Sequence, residues 1–300
     1  MNSTAQIRNL VDGVYDIQQL RIATGNRVVA ALRPDQATEV KPNTSVDNPE
    51  GAPENQDDSI IKLVVGEYKR VADVYATRYQ SKGRIEKALT GTEYIRTGLD
   101  YTLVEQYMKL VDAEEGLTKA VEKVVKDHPM WDAFFSDVKG CGPLMAAVCL
   151  AYLDPYKARH ASSFWKYCGL DVVYNEETGL MEGRQKKHTE MREYEAKDGT
   201  IKEKKSLTYN PFIKTKLVGV LGSSFLRARG SYYGKVYYDY KNRLEQRDPD
   251  KSPAHRHRMA TRYAVKMFLR DMWVVWRELE GLEVTEPYEV AKLGHKPHGT

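Results

Sequence analysis

Phe134-Phe135-Ser136-Asp137-Val138-Lys139-Gly140-Cys141-Gly142-Pro143-Leu144-Met145-Ala146-Ala147 is the stretch that decides how this 300-residue chain is read. An apolar residue, one spacer, Gly-x-Gly, and then a helix opening with proline and small residues form the helix-hairpin-helix pattern. Gly140 and Gly142 can take positive φ without steric cost and let a phosphate backbone come close. Pro143 suits the first helical turn, where its missing N–H would be unpaired in any case. The other N–H groups of that turn, at Leu144 and beyond, join the helix dipole in offering a place for a phosphate, with Lys139 as an added cation. Contacts of this kind grip the backbone and carry no base identity. Tight turns between helices also use glycine for structure alone, so two readings stand: DNA binding, or a turn that only packs.

Working outward, the periodicity predicts helices on both sides. Residues 5–32 read as one amphipathic helix, and residues 34–58, with Pro34, Pro42, Pro49 and Pro53 among polar residues, as a flexible linker. A second helix is predicted from Ser59 to about Lys82, and a third from about Tyr101 to Asp127. The third carries Leu103, Tyr107, Leu110, Val111, Leu117, Val121, Val124 and Val125 close to a heptad stripe, the pattern of a coiled-coil-like arm that packs or oligomerises. Residues 174–205 are polar and charged, a hairpin or mobile loop. Helices are predicted again at 211–228, 232–247 and 254–279. The expected class is all-α with room for one short hairpin. The expected organisation is an N-terminal helix (1–33), the linker, a helical arm (59–130), a DNA-binding domain (131–280) and a tail (281–300).

Composition excludes several classes. No apolar run reaches membrane-spanning length and Met1 opens no signal segment, so a cytoplasmic protein with no membrane partner is expected. The three cysteines are too few for a disulfide scaffold. With His160 they match no tight zinc spacing, and buried packing is expected of them. Asp12, Asp16, Glu67 and Asp73 lie on helices, where surface charge is the expected role. Tyrosine supplies 20 of the 30 aromatics, suited to wet interfaces and to helix packing alike.

The net charge of +4 is unevenly spread. Residues 1–130 hold 17 Lys+Arg against 20 Asp+Glu, and residues 131–205 balance at 12 against 12. Residues 206–278 hold 15 against 6, a basic block suited to phosphates. Within it stand Arg227, Arg229 and Lys235, then His255-Arg256-His257-Arg258 with Arg262 and Lys266 about a turn apart. A solvated basic face is the plain alternative. Arg184-Gln185-Lys186-Lys187-His188 and Lys202-x-Lys204-Lys205 flank an acidic stretch, either gripping nucleic acid or simply solvated.

The order of the glycine turn, an apolar helix, Phe164-x-x-Tyr167-Cys168-Gly169-Leu170, Phe225-Leu226-Arg227, Tyr237-Tyr238-Asp239-Tyr240-Lys241 and the closing helix His255 to Trp276 resembles the C-terminal domain of the IS one-ten / IS one-sixteen / IS nine-oh-two insertion-sequence transposases, over about residues 103–278. The resemblance implies DNA binding in transposition or recombination, with DNA as partner and a guide RNA as an open second. The glycine turn and the basic block place the expected DNA contacts at Lys139, Gly140, Gly142, Leu144, Arg227, Arg229, Arg256, Arg258, Arg262 and Lys266. The family's RuvC-like N-terminal nuclease domain has no counterpart in residues 1–100. Where the family has a nucleophilic serine, this chain has Thr178 before Gly179, and no base beside it is evident. Magnesium enters only if the chain is catalytic. A homo-oligomer through the arm is expected, and a non-catalytic DNA- or RNA-binding or oligomerising structural protein remains the alternative.

Overall fold

The computed structural model describes residues 4–33, 56–176 and 179–285. The chain divides into two compact units, Asn9–Ala120 and Met1–Arg8 with Val121–Thr300. Most of the predicted linker, residues 34–55, lies outside the described residues; its last three residues belong instead to a helix that starts at Gln56.

In the first unit, α1 (Thr4–Leu32, whose first residues belong to the second unit), α2 (Gln56–Val74), the short α3 (Ile85–Ala88) and α4 (Gly98–Lys126, whose residues from Val121 on belong to the second unit) supply the helices. Val28, Leu32, Val64, Val71, Ile95, Val104 and Tyr107 form one buried cluster. Leu103, Tyr107 and Val111 of the apolar stripe of α4 pack into this cluster beside residues of α1 and α2. Polar side chains close the loops. Glu67 accepts from the backbone N–H groups of Glu93, Tyr94 and Ile95 at 2.6, 2.8 and 2.7 Å, so this carboxylate is a loop clamp. Thr97 Oγ1 accepts from Asp100 N while Asp100 accepts from Thr97 N, a reciprocal cap that starts α4.

The second unit adds α5 (Pro129–Ala133), α6 (Pro143–Tyr152), α7 (Ala161–Tyr167), four strands, α8 (Pro211–Thr215), α9 (Gly222–Arg227), α10 (Tyr232–Arg247) and α11 (Pro253–Leu279). A π-helical turn, Lys216–Leu221, links α8 to α9. Helix α11 is the axis of this unit. Ser252 accepts from His255 N as its cap, Pro253 opens it, and Val265, Phe268, Leu269, Met272 and Trp273 are fully buried along it. Buried polar atoms on it find backbone partners. Trp273 Nε1 donates to Ala158 O at 2.8 Å, and Arg277 Nη1 to Pro155 O at 2.7 Å. Helix α9 runs close against α11: a Cβ on Gly222 would fall 2.6 Å from the Thr261 methyl, so only glycine permits this approach.

The expected class holds in its coarse form, mostly helical, but residues 172–207 form two hairpins where at most one was expected. β1 (Val172–Asn175) pairs antiparallel with β2 (Leu180–Gly183), and β3 (Thr189–Glu195) with β4 (Ile201–Leu207), as separate two-stranded sheets. Their strands bury no side chain, so the apolar alternation that betrays a strand is missing from the sequence. Among the described residues no helix is long and apolar enough to cross a membrane.

Candidate nucleic-acid interface

The glycine turn is built as the pattern predicts in outline but not in detail. Cys141 N donates to Val138 O at 3.0 Å, closing a turn between a 3-10 segment (Phe135–Asp137) and α6. Gly140 takes φ +99°, yet it faces inward: a Cβ there would lie 3.1 Å from both Ser224 O and Phe225 Cδ1. Gly142 corrects the expectation of positive φ, since it sits at φ −75°, ψ 170° as the N-cap of α6. It is exposed, and a Cβ on it would meet nothing within 4 Å. The two glycines thus have separate tasks: Gly140 lets the turn seat on α9, and Gly142 leaves the outer side of the turn bare. Met145 N and Ala146 N both donate to Gly142 O at 3.0 Å. The N–H groups of Gly142 and Leu144 have no partner among the described residues and belong to the first turn of a ten-residue helix.

Seating Gly140 on Ser224 brings a second segment to this corner. Lys139 is exposed, and its Nζ would lie 3.4 Å from a Cβ on Gly230, in the turn that follows α9. Arg227 ends α9, Arg229 follows just before Gly230, and both are exposed. Ser231 then caps α10 by accepting from Gly234 N at 3.2 Å. The segment that carries Arg227 and Arg229 is thereby brought beside Lys139, far from it in sequence.

The closing helix distributes its cations differently from the expected single face. Arg258 is exposed. Arg256 is turned back, with Nη1 donating to Pro249 O at 3.1 Å and to Lys251 O. Arg262 donates to Gly169 O at 3.1 Å and packs on Gly183, and burial lowers its pKa. Lys266 lies 4.2 Å over the Trp165 ring. Three of the four thus serve the fold, holding loops and helix ends, and Arg258 is the one most open to solvent. Thr178 lies outside the described residues, in the connection between β1 and β2.

The sequence presents Arg184 as one cation in a loop cluster. It is buried, and its guanidinium holds both oxygens of Asp171 at 2.7 Å together with Thr208 Oγ1 at 2.5 Å. Beside it Lys214 Nζ donates to Arg184 O at 2.7 Å and lies 4.4 Å over Tyr209. Burial, then the nearby Arg262, pushes the Lys214 amine down to about 8. The following residues form a compact turn: His188 and Lys187 both reach Glu182, at 2.9 and 2.6 Å. Spacing alone gives no sign of these partners.

Cys141, Cys149 and Cys168 are buried, and loss of solvent raises all three thiols, Cys149 to about 12. Among the described residues no group of three or more His, Cys, Asp or Glu could hold a metal ion. No protein-family model matches the chain, and no curated protein matches it either.

Proposed function

We propose that this chain binds duplex DNA along its phosphate backbone, as a protein of transposition or recombination type, at the corner where the glycine turn meets the end of α9. The observation that carries the reading is the seating of Gly140 against Ser224, which brings the segment of the exposed Arg227 and Arg229 to the turn that carries Lys139 and leads into α6. Cations neutralise phosphates, and backbone N–H groups at a helix start hydrogen-bond them. Gly142, bare on its outer side, lets a sugar-phosphate backbone approach those N–H groups. The sequence motif adds the helix-hairpin-helix precedent, and the resemblance adds the setting of transposition. The proposal is binding; a cutting step through Thr178, with magnesium, is not part of it.

The test is a duplex titration across salt. Changing Lys139, Arg227 and Arg229 together to Gln lowers the slope of log affinity against log salt by up to about 3, one for each phosphate no longer neutralised. The weakening is the same for unrelated duplex sequences, since backbone contacts carry no base identity. Arg262→Gln serves as the control: it releases Gly169 O and lowers the melting temperature without changing the slope. An unchanged slope in the triple variant refutes the corner as the binding surface.

A further inference from the structure

The hairpin of β3 and β4 carries a charge arrangement that its composition hides. Between residues 189 and 207 stand five basic and five acidic residues, no net charge at all. Side chains alternate between the two faces of a strand, and directly paired residues share a face. The register therefore puts Glu190, Arg192 and Tyr194 with Ser206, Lys204 and Lys202 on one face. It puts Met191, Glu193 and Glu195 with Lys205, Glu203 and Ile201 on the other. The first face has three cations and one carboxylate; the second has three carboxylates and one cation. On successive rungs Arg192 stands opposite Lys204, and Glu193 opposite Glu203. Like charges opposite one another destabilise a sheet, so the hairpin carries two unfavourable rungs. Neither strand buries a side chain, and so nothing within the hairpin's own packing requires this sorting.

On the cationic face Arg192 Nε donates to Glu190 at 2.5 Å, Lys204 Nζ lies 5.0 Å over the Tyr194 ring, and Lys202 reaches Asp198 in the turn at 3.4 Å. Tyr194 thus sits among cations and is exposed. The Arg192–Lys204 rung and Lys202 are two residues apart, about 7 Å along the strands. A two-stranded ribbon of this width is a shape that the major groove of B-DNA admits.

We propose that the face bearing Arg192, Lys202, Lys204 and Tyr194 lies against the phosphates of duplex DNA as a β-ribbon, with the face of Glu193, Glu195 and Glu203 turned to solvent. The proposal rests on the DNA-binding reading above and adds a second surface to it. Charge sorting sets the orientation, because the opposite face repels phosphate.

The experiment uses the full chain, a short mixed-sequence duplex and fluorescence anisotropy from about 50 to 200 mM salt. One variant carries Arg192→Gln, Lys202→Gln and Lys204→Gln; the other carries Glu193→Gln, Glu195→Gln and Glu203→Gln. The cationic-face variant lowers the salt slope by about 2 to 3 and weakens binding. The acidic-face variant keeps the slope and binds as well as the parent or better. Each variant removes a like-charge rung, and a thermal melt of each confirms that the fold is kept. Equal slopes for the parent and the cationic-face variant overturn the ribbon while leaving the corner at Lys139 standing. A parent that does not bind duplex at all overturns both. Salt-sensitive self-association of the parent, abolished by either variant, means the cationic face meets the acidic face of a second copy and overturns the assignment to DNA.

Discussion

Gly140 and Gly142, two residues apart, separate folding from binding. Gly140→Ala places a methyl at φ +99°, 3.1 Å from Ser224 O and Phe225 Cδ1. Strain at such a φ is worth roughly 1 to 3 kcal/mol. Overpacking against a backbone carbonyl that cannot swing away adds about 1 to 3 kcal/mol. The expected destabilisation is therefore roughly 2 to 5 kcal/mol, a fall in melting temperature on the order of 5 to 15 °C for a unit of this size. Gly142→Val meets neither obstacle. Its φ of −75° and ψ of 170° suit a β-branched residue, and the space around it is empty. Removal of a glycine N-cap is the only fold penalty, below about 1 kcal/mol. The valine does, however, stand in front of the N–H groups that are to meet phosphate. Hydrogen bonds to charged groups are worth about 1.5 to 3 kcal/mol each, so removing one weakens binding by roughly 10- to 150-fold. Thermal melts and an anisotropy titration on the same samples separate the two effects. A Gly140→Ala protein that melts with the parent refutes the seating on Ser224. A folded Gly142→Val protein with full affinity refutes the phosphate role of the turn.

Two pH dependences follow from single side chains. His128 caps α5 by accepting from Met130 N at 3.1 Å, and burial lowers its pKa. The folded state favours the neutral ring, so stability is full above the ordinary histidine pKa and falls as pH drops through it; a His128→Asn protein, which keeps an acceptor, loses that dependence in melts between pH 7.5 and 5 (about one unit either side of the ordinary value). Lys214, held down at about 8, takes up its proton less readily folded than unfolded, so stability rises from pH 8 towards the ordinary lysine value near 10.4. Melts of a Lys214→Met protein show a flatter rise than the parent over that range, and an identical rise refutes the assignment.

Helix positions are legible to within a few residues wherever burial is periodic. The sequence predicts a helix over residues 254–279 and α11 spans Pro253–Leu279, because Ser252, Pro253 and the apolar spacing all act locally. The hairpins are obscure for the opposite reason: their strands cover no core, and only pairing across the turn reveals their faces. The site shows the same division. That Lys139, Arg227 and Arg229 are cations is plain, but the approach of their segments depends on Gly140 packing against Ser224, a contact across more than eighty residues. Charge type likewise says nothing about Arg262, whose carbonyl partner, Gly169 O, lies 93 positions earlier. Gly142 is recognisable as a residue kept small, while its extended conformation follows from its place as a cap.

The Arg184 guanidinium has a consequence for the architecture of its unit. It binds Asp171, just before β1, and Thr208, just after β4, so one planar group holds both ends of the segment between them. Residues 172–207 leave the helical unit and return to it at one place. A segment whose ends already meet costs the rest of the chain little loop-closure entropy, whatever its length. The two hairpins are therefore a cassette set into the helices around Arg184, where Lys214 holds its carbonyl and Arg262 packs on Gly183. The strands on either side of that anchor bury no side chain, so hairpins of other lengths or charge patterns fit the same opening so long as Gly183 and Arg184 stay.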